Sequence, residues 1–181
     1  MEWETINEQM AHINLNEEQE RRNYDRWDEY VKPLLEADNK TIIDYGCGGA
    51  YFFKWLDKNY TIKKYIGYDI SERSIEEAKK IVRTVKKTPK KLEKADILCC
   101  FSVVQHMTRE QYNTFRSQID NSNINKLFIQ IRYNHKEEFK DSLTYRCSLA
   151  FIPLNNYRMI SRSKTLDNGY QYQVYERMNE E

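Results

Sequence analysis

The sequence predicts an α/β protein in which a mostly parallel sheet is covered by helices and closes on an antiparallel hairpin. Three observations predict it. From residue 41 onward, short apolar runs alternate with helix-period segments, the pattern of parallel strands joined by crossover helices. Four of the five glycines, Gly46, Gly48, Gly49 and Gly67, fall between positions 46 and 67, where a strand runs into a helix. Near the end, Asp167-Asn168-Gly169 separates two strand-like runs, a strong hairpin signal.

The elements follow in order. Asn16 is a capping residue for a helix over 16–38, with Glu17 and Glu18 in its first turn and Tyr24, Trp27, Tyr30 and Val31 on one stripe. Pro33 kinks that helix or starts a second short one. Thr41 to Asp44 is a strand, Tyr51 to Leu56 an aromatic helix, and Lys64 to Asp69 the next strand. Ser71 caps a helix whose apolar positions are Ile75, Ala78, Val82 and Val85. Ala95 to Val104 is nearly all apolar, as a strand buried on both faces should be. Thr108 and Gln111 form a capping box ahead of Tyr112, Phe115 and Ile119. Lys126 to Tyr133 is a strand, 136–150 a helix, and Arg158 to Thr165 and Tyr170 to Arg177 the closing pair. With no repeat and no boundary in composition, residues 1–181 read as one domain, 1–38 a helical cover and 39–181 the core.

Lys plus Arg number 29 against 28 Asp plus Glu, which excludes a globally basic nucleic-acid binder but leaves room for a local patch. The cysteines, at 47, 99, 100 and 147, include no C-x-x-C pair, and the start MEWETINEQM has neither the basic nor the apolar part of a signal peptide. A cytoplasmic protein is expected. No run approaches the ~20 apolar residues of a membrane span, and the histidines at 12, 106 and 135 lack metal-ligand spacing, so no metal is expected.

A strand feeding glycines that open a helix is the nucleotide-binding corner of an α/β sheet, because glycine accepts positive φ and lets backbone approach a ligand closely. Asp69 ends the following strand, where a carboxylate meets ribose hydroxyls. No G-x-x-x-x-G-K-[ST] string exists, and Tyr51 stands where a dinucleotide fingerprint needs glycine. What remains is an acid leading the turn, Asp44-Tyr45-Gly46-Cys47-Gly48-Gly49-Ala50.

That segment resembles the first motif of the class I S-adenosylmethionine-dependent methyltransferases, D-x-G-C-G-x-G, departing only at Ala50. Gly67-Tyr68-Asp69-Ile70-Ser71 is similar to their second motif, the run from Asp96 to Met107 to their strand-four motif, and Tyr24-Asp25-Arg26-Trp27 to an N-terminal helical motif. The resemblance covers roughly residues 20–177. It implies a Rossmann-like, doubly wound fold with S-adenosylmethionine as cofactor. It further implies that Asp44 and the backbone around Gly46 and Gly48 hold the methionine end, Asp69 the ribose, and Ile70 flanks the adenine. The resemblance implies as well that backbone near Phe101 faces the donor's amino group and that Tyr24 closes over the cofactor. Stripe spacing offers the plainer alternative that Tyr24 and Trp27 are core aromatics.

One departure stands out. Only Thr84 to Lys94 separates the Ser71 helix from the Asp96 strand, so the third strand is expected to be shortened or missing, leaving one strand fewer or a more open adenine side. Lys86, Lys87, Lys90 and Lys91 lie in this stretch. A lysine run is ordinarily a solvated face; the sharper alternative is contact with an anionic substrate.

His106, just past the fourth strand, is the candidate general base, with a packing or capping role as the alternative. Neither the N-P-P-[YF] nor the Pro-Cys motif of nucleic-acid base methylation is present. A small-molecule or glycan oxygen is therefore the favoured acceptor. The N-terminal helix and the aromatic and basic segment 134–157 are expected to cover it, with half-buried core as the equal alternative for that segment. The alternatives are a non-catalytic donor-binding or regulatory subunit, and methylation of nucleic acid or protein.

Overall fold

A computed structural model describes residues 15–132, 152–166 and 169–178. The chain divides into two compact units, Met1–Pro89 and Lys90–Glu181. Among the described residues, seven strands make a mostly parallel sheet that closes on an antiparallel pair. No helix of the described residues is long and apolar enough to cross a membrane.

In the first unit, α1 spans Glu17–Tyr30 and starts as expected. The Asn16 side chain accepts from the Gln19 N–H at 2.9 Å and the Gln19 side chain accepts from the Asn16 N–H at 3.0 Å, which satisfies two of the otherwise orphan donors at a helix start. Pro33 is the second residue of a separate 3-10 turn, Lys32–Leu34, where its missing N–H has no partner within the turn to lose. β1 (Thr41–Tyr45), α2 (Tyr51–Asn59) and β2 (Lys64–Asp69) follow. Trp27 lies 5.0 Å from Phe52 and 5.9 Å from Trp55, ring centre to ring centre, so α1 is stapled to α2 through aromatic edges. Trp27 is thus a core residue, 5 % exposed, as its stripe position indicates.

Ser71 caps α3 (Glu72–Lys79) by accepting from the Ser74 N–H. The helix stops well short of Val85, against the helical spacing read from the sequence. Val85 instead opens β3 (Val85–Lys87), which pairs in parallel with β2, Gly67 against Val85 and Asp69 against Lys87. The third strand is therefore shortened to three residues, as one of the two expectations has it, and the other, one strand fewer, is corrected.

The reason lies across the sheet at Gly67. A Cβ there would stand 2.9 Å from Val85 Cγ2, 3.0 Å from Cys47 Sγ and 3.2 Å from a Tyr65 ring carbon. The missing side chain is the space that Val85 fills, and an apolar group buried there outweighs continuation of a lysine-rich helix. Gly67→Ala is expected to destabilise the protein by about 1–3 kcal/mol, the usual cost of overpacking. Denaturant unfolding measures it, and an unchanged midpoint would contradict the close fit.

In the second unit, β4 covers Ile97–Cys100, all four residues buried. It is shorter than the apolar run from Ala95 to Val104 because Ser102 takes φ 60 and ends the extended backbone. A 3-10 turn, Val104–His106, leads to α4 (Arg109–Asp120), whose Thr108–Gln111 capping box is present in both directions. β5 (Lys126–Arg132) pairs in parallel with β4. β7 (Tyr170–Arg177) pairs antiparallel with both β5 and β6 (Tyr157–Arg162), so this unit reads β4-β5-β7-β6. β7 is buried on both faces because it lies inside, and β6 is mostly exposed because it lies at the edge. The helix expected over 136–150, the segment 134–151 and Asp167-Asn168 of the hairpin lie outside the described residues.

Candidate active site

The turn between β1 and α2 carries the residues that the motifs single out. Gly46 (φ 78), Gly48 (φ 50) and Ala50 (φ 59) all sit in the left-handed region. Glycine takes that conformation freely, whereas Ala50 holds it under strain of order 1 kcal/mol. The strain is tolerated because Ala50 is fully buried and opens α2, its carbonyl accepting from the Lys54 N–H at 3.2 Å. Two consecutive N–H groups, of Gly46 and Cys47, donate to the Tyr68 carbonyl at 2.7 and 2.9 Å. The turn is thereby fastened to the end of β2.

Asp69 completes the fastening. Its Oδ2 accepts from the Gly48 N–H at 2.9 Å and its Oδ1 from the Ser71 N–H at 2.9 Å. One carboxylate thus joins the glycine turn, the end of β2 and the start of α3. Burial pushes its pKa above the ordinary value, and the N–H groups of Ser71, Gly48 and Ile70 pull it partly back. A carboxylate offers roughly four lone-pair sites, so hydrogen-bonding capacity remains for a ligand's hydroxyls.

Asp44 is the second acid, 3 % exposed, with Tyr65 Oη donating to its Oδ2 at 2.7 Å. Burial raises its pKa to about 7; the Tyr65 hydrogen bond opposes the rise and the nearby charge of Asp69 adds to it. Between the two acids, burial and both carboxylates push the Cys47 thiol up, so this cysteine packs and does not react.

The turn thus combines two carboxylates with a glycine whose missing side chain has no protein atom within 4 Å. Open space beside half-buried backbone, flanked by two acids, suits a donor with a positive centre and ribose hydroxyls. The residues present fit S-adenosylmethionine.

The structure brings Asp44, Gly46, Gly48, Asp69 and Ile70 together at this corner, Ile70 half-buried beside Asp69. It places Tyr24 on α1 with its hydroxyl donating to Glu20 at 2.5 Å, its ring 5.8 Å from Trp27, and Lys58 Nζ 5.0 Å from the ring centre. In the second unit, the half-exposed Phe101 ring meets Tyr172 edge-on at 6.0 Å. His106 ends the 3-10 turn, its backbone N–H donating to the Val103 carbonyl at 2.8 Å. Lys86, Lys87, Lys90 and Lys91 are all exposed; Lys87 pairs with Glu72 at 3.3 Å and Lys86 Nζ lies 5.9 Å from the Tyr68 ring centre. Motif reading misses Tyr65, which holds Asp44 from 21 residues away. Only its strand position, level with Ile42 and two residues from Asp44, hints at that contact.

Fold and site together define an α/β domain whose first glycine turn is flanked by two acids, the class of corner that suits a nucleoside-bearing donor. The sequence matches the family model of a methyltransferase domain over residues 17–127, and the chain belongs to that family. No curated protein matches it. Among solved structures, it is similar to magnesium protoporphyrin IX methyltransferase (ChlM) from Synechocystis PCC 6803 with bound SAM, at 14 % identity over 98 % of each chain, with a TM-score of 0.66. The same enzyme with bound SAH matches at 14 % identity over 91 % of this chain and 89 % of that one, TM-score 0.64. A complex between the Haloferax volcanii Trm112 methyltransferase activator and the putative methyltransferase gives 11 % identity, 99 % of each chain and a TM-score of 0.67. These likenesses show the fold, that of the class I S-adenosylmethionine-dependent methyltransferases.

Proposed function

We propose that this methyltransferase-domain protein moves a methyl group from S-adenosylmethionine to an oxygen of a small molecule or sugar. The observation that carries the donor half is the pair of acids, the buried Asp44 and the half-buried Asp69, around the open glycine turn. The donor supplies an activated methyl group on a sulfonium centre, so the protein's task is chiefly one of position. Asp69 accepts from the ribose with the lone-pair capacity that the N–H groups of Gly48, Ser71 and Ile70 leave free. Asp44 supplies negative charge toward the methionine end. The alternative of a non-catalytic subunit rests on a missing third strand and on the lack of a clear acceptor-side catalytic set; β3 is present, which removes the first ground. The buried, unbridged Cys47, Cys99 and Cys100 accord with a cytoplasmic setting.

The half-exposed His106, at the end of the turn after β4, is assigned to take the proton from the acceptor hydroxyl. His106→Ala is expected to lower methyl transfer about 100-fold or more, in the range set by losing a general base. The measurement incubates protein with S-adenosyl-[methyl-³H]methionine and a cell extract, then counts label in small-molecule, glycan, protein and nucleic-acid fractions. Retained S-adenosylhomocysteine binding with lost labelling supports the assignment. A lowered unfolding temperature with labelling retained per folded molecule makes His106 a packing residue instead.

A further inference from the structure

Gln105 lies in the 3-10 turn after β4 and is 7 % exposed, yet among the described residues neither its Oε1 nor its Nε2 has a hydrogen-bond partner. The other buried glutamines of the second unit are engaged. Gln118 donates to the Lys90 carbonyl, Gln130 accepts from Ser102, and Gln173 donates to Gln171. A buried amide with both ends empty is a standing cost that a fold ordinarily avoids.

Two neighbouring features point the same way. Ser102, three residues earlier, holds φ 60 without being glycine, and its hydroxyl donates to Gln130 Oε1 at 2.6 Å. Strain held in place by a buried partner gathers where a fold keeps a functional geometry. The location is the carboxyl end of a parallel strand, where open α/β sheets place their ligands. The turn itself rests on two backbone hydrogen bonds, from the His106 N–H to Val103 at 2.8 Å and from the Met107 N–H to Val104 at 3.2 Å. Pairing with a ligand requires this turn to shift and open the buried amide.

We propose that Gln105 recognises the methyl acceptor by pairing with two neighbouring hydroxyls of a sugar or polyol. Its Oε1 accepts from one hydroxyl and its Nε2 donates to the next, since each hydroxyl both donates and accepts. This rests on the oxygen-acceptor reading above and adds the chemistry by which the acceptor is chosen. An acceptor lacking the second hydroxyl leaves one end of a buried amide unpaired, and such a site rejects it strongly.

The test uses Gln105→Met, which keeps the length of the side chain and removes both hydrogen-bonding atoms. Variant and wild type are compared in tritiated methyl transfer to cell extract, in S-adenosylhomocysteine calorimetry and in thermal unfolding. Wild-type label is expected in sugar- or polyol-containing products and falls about tenfold or more in the variant, the loss of two hydrogen bonds. Donor affinity stays within about twofold, and the unfolding temperature is equal or higher because an unsatisfied amide has been removed. Equal labelling by the variant overturns the proposal. So does a lowered unfolding temperature, which would give the amide a structural partner, or wild-type label confined to protein or nucleic acid. A wild-type chain that binds S-adenosylhomocysteine yet labels nothing overturns the transfer reading itself, and this assignment with it.

Discussion

Replacing Asp69 by alanine is expected to lower S-adenosylhomocysteine affinity by about 100-fold or more. Two ribose hydroxyls donating to a carboxylate contribute roughly 1.5–3 kcal/mol each, and every ~1.4 kcal/mol is a tenfold change in affinity. The same substitution strips the Gly48 and Ser71 N–H groups of their acceptor. Each orphaned donor costs about 1–3 kcal/mol, so stability falls as well. Asp69→Asn separates the two effects. Its carbonyl oxygen still accepts from one N–H, and its amide nitrogen faces the other as a donor facing a donor. Stability therefore drops less than in Asp69→Ala, while the loss of charge still weakens donor binding. Calorimetry beside denaturant unfolding reads both; an affinity within about threefold of wild type in folded Asp69→Ala would remove Asp69 from the donor site.

The second large effect is a pH dependence centred on Asp44. Its carboxyl keeps a proton to about pH 7 in the folded protein, against an ordinary value of 3.8. Between those values the native state holds a proton that the unfolded chain has released, so raising the pH favours unfolding. The contribution is fully present below about pH 4 and is lost as pH rises through 7; a shift of this size amounts to something on the order of 4 kcal/mol. Asp69, also raised, acts in the same direction. Asp44→Asn removes the proton exchange, and its stability is expected to vary far less between pH 4 and 7.

Donor binding runs opposite to stability. A cationic ligand favours the ionised carboxylate, so S-adenosylmethionine is expected to bind more tightly as pH rises from 6 to 8 and to displace a proton on binding. Calorimetry in two buffers of different ionisation enthalpy counts that proton. No proton release, or the same pH profile in Asp44→Asn, would show that Asp44 does not respond to the donor's charge.

These predictions rest on features unequally visible in the sequence. The glycine turn, Asp44 leading it and Asp69 ending the next strand could be read directly, because turn chemistry is local and glycine is the residue that enters positive φ freely. The caps at Asn16, Ser71 and Thr108 were legible for the same reason: each bond spans three residues. Val85 was misread. Its spacing suits a helix, and only Gly67 on a neighbouring strand supplies the void that makes it a strand residue. The state of Asp44 was equally out of reach, since it depends on burial and on a tyrosine hydroxyl 21 residues away.

By itself, then, the sequence determined the alternation of strands and helices, the nucleotide corner and the two acids that flank it. Hydrogen bonds within a turn and the repeat of apolar residues need no knowledge of distant partners. Tertiary structure alone decided that the third strand is real but three residues long, that Asp69 fastens the glycine turn to the start of α3, and that Gln105 stands buried with both ends unpaired among the described residues. Each of these depends on which side chains meet across the sheet and on how much water is excluded where they meet. Pairwise burial of that kind is written into no short stretch of chain.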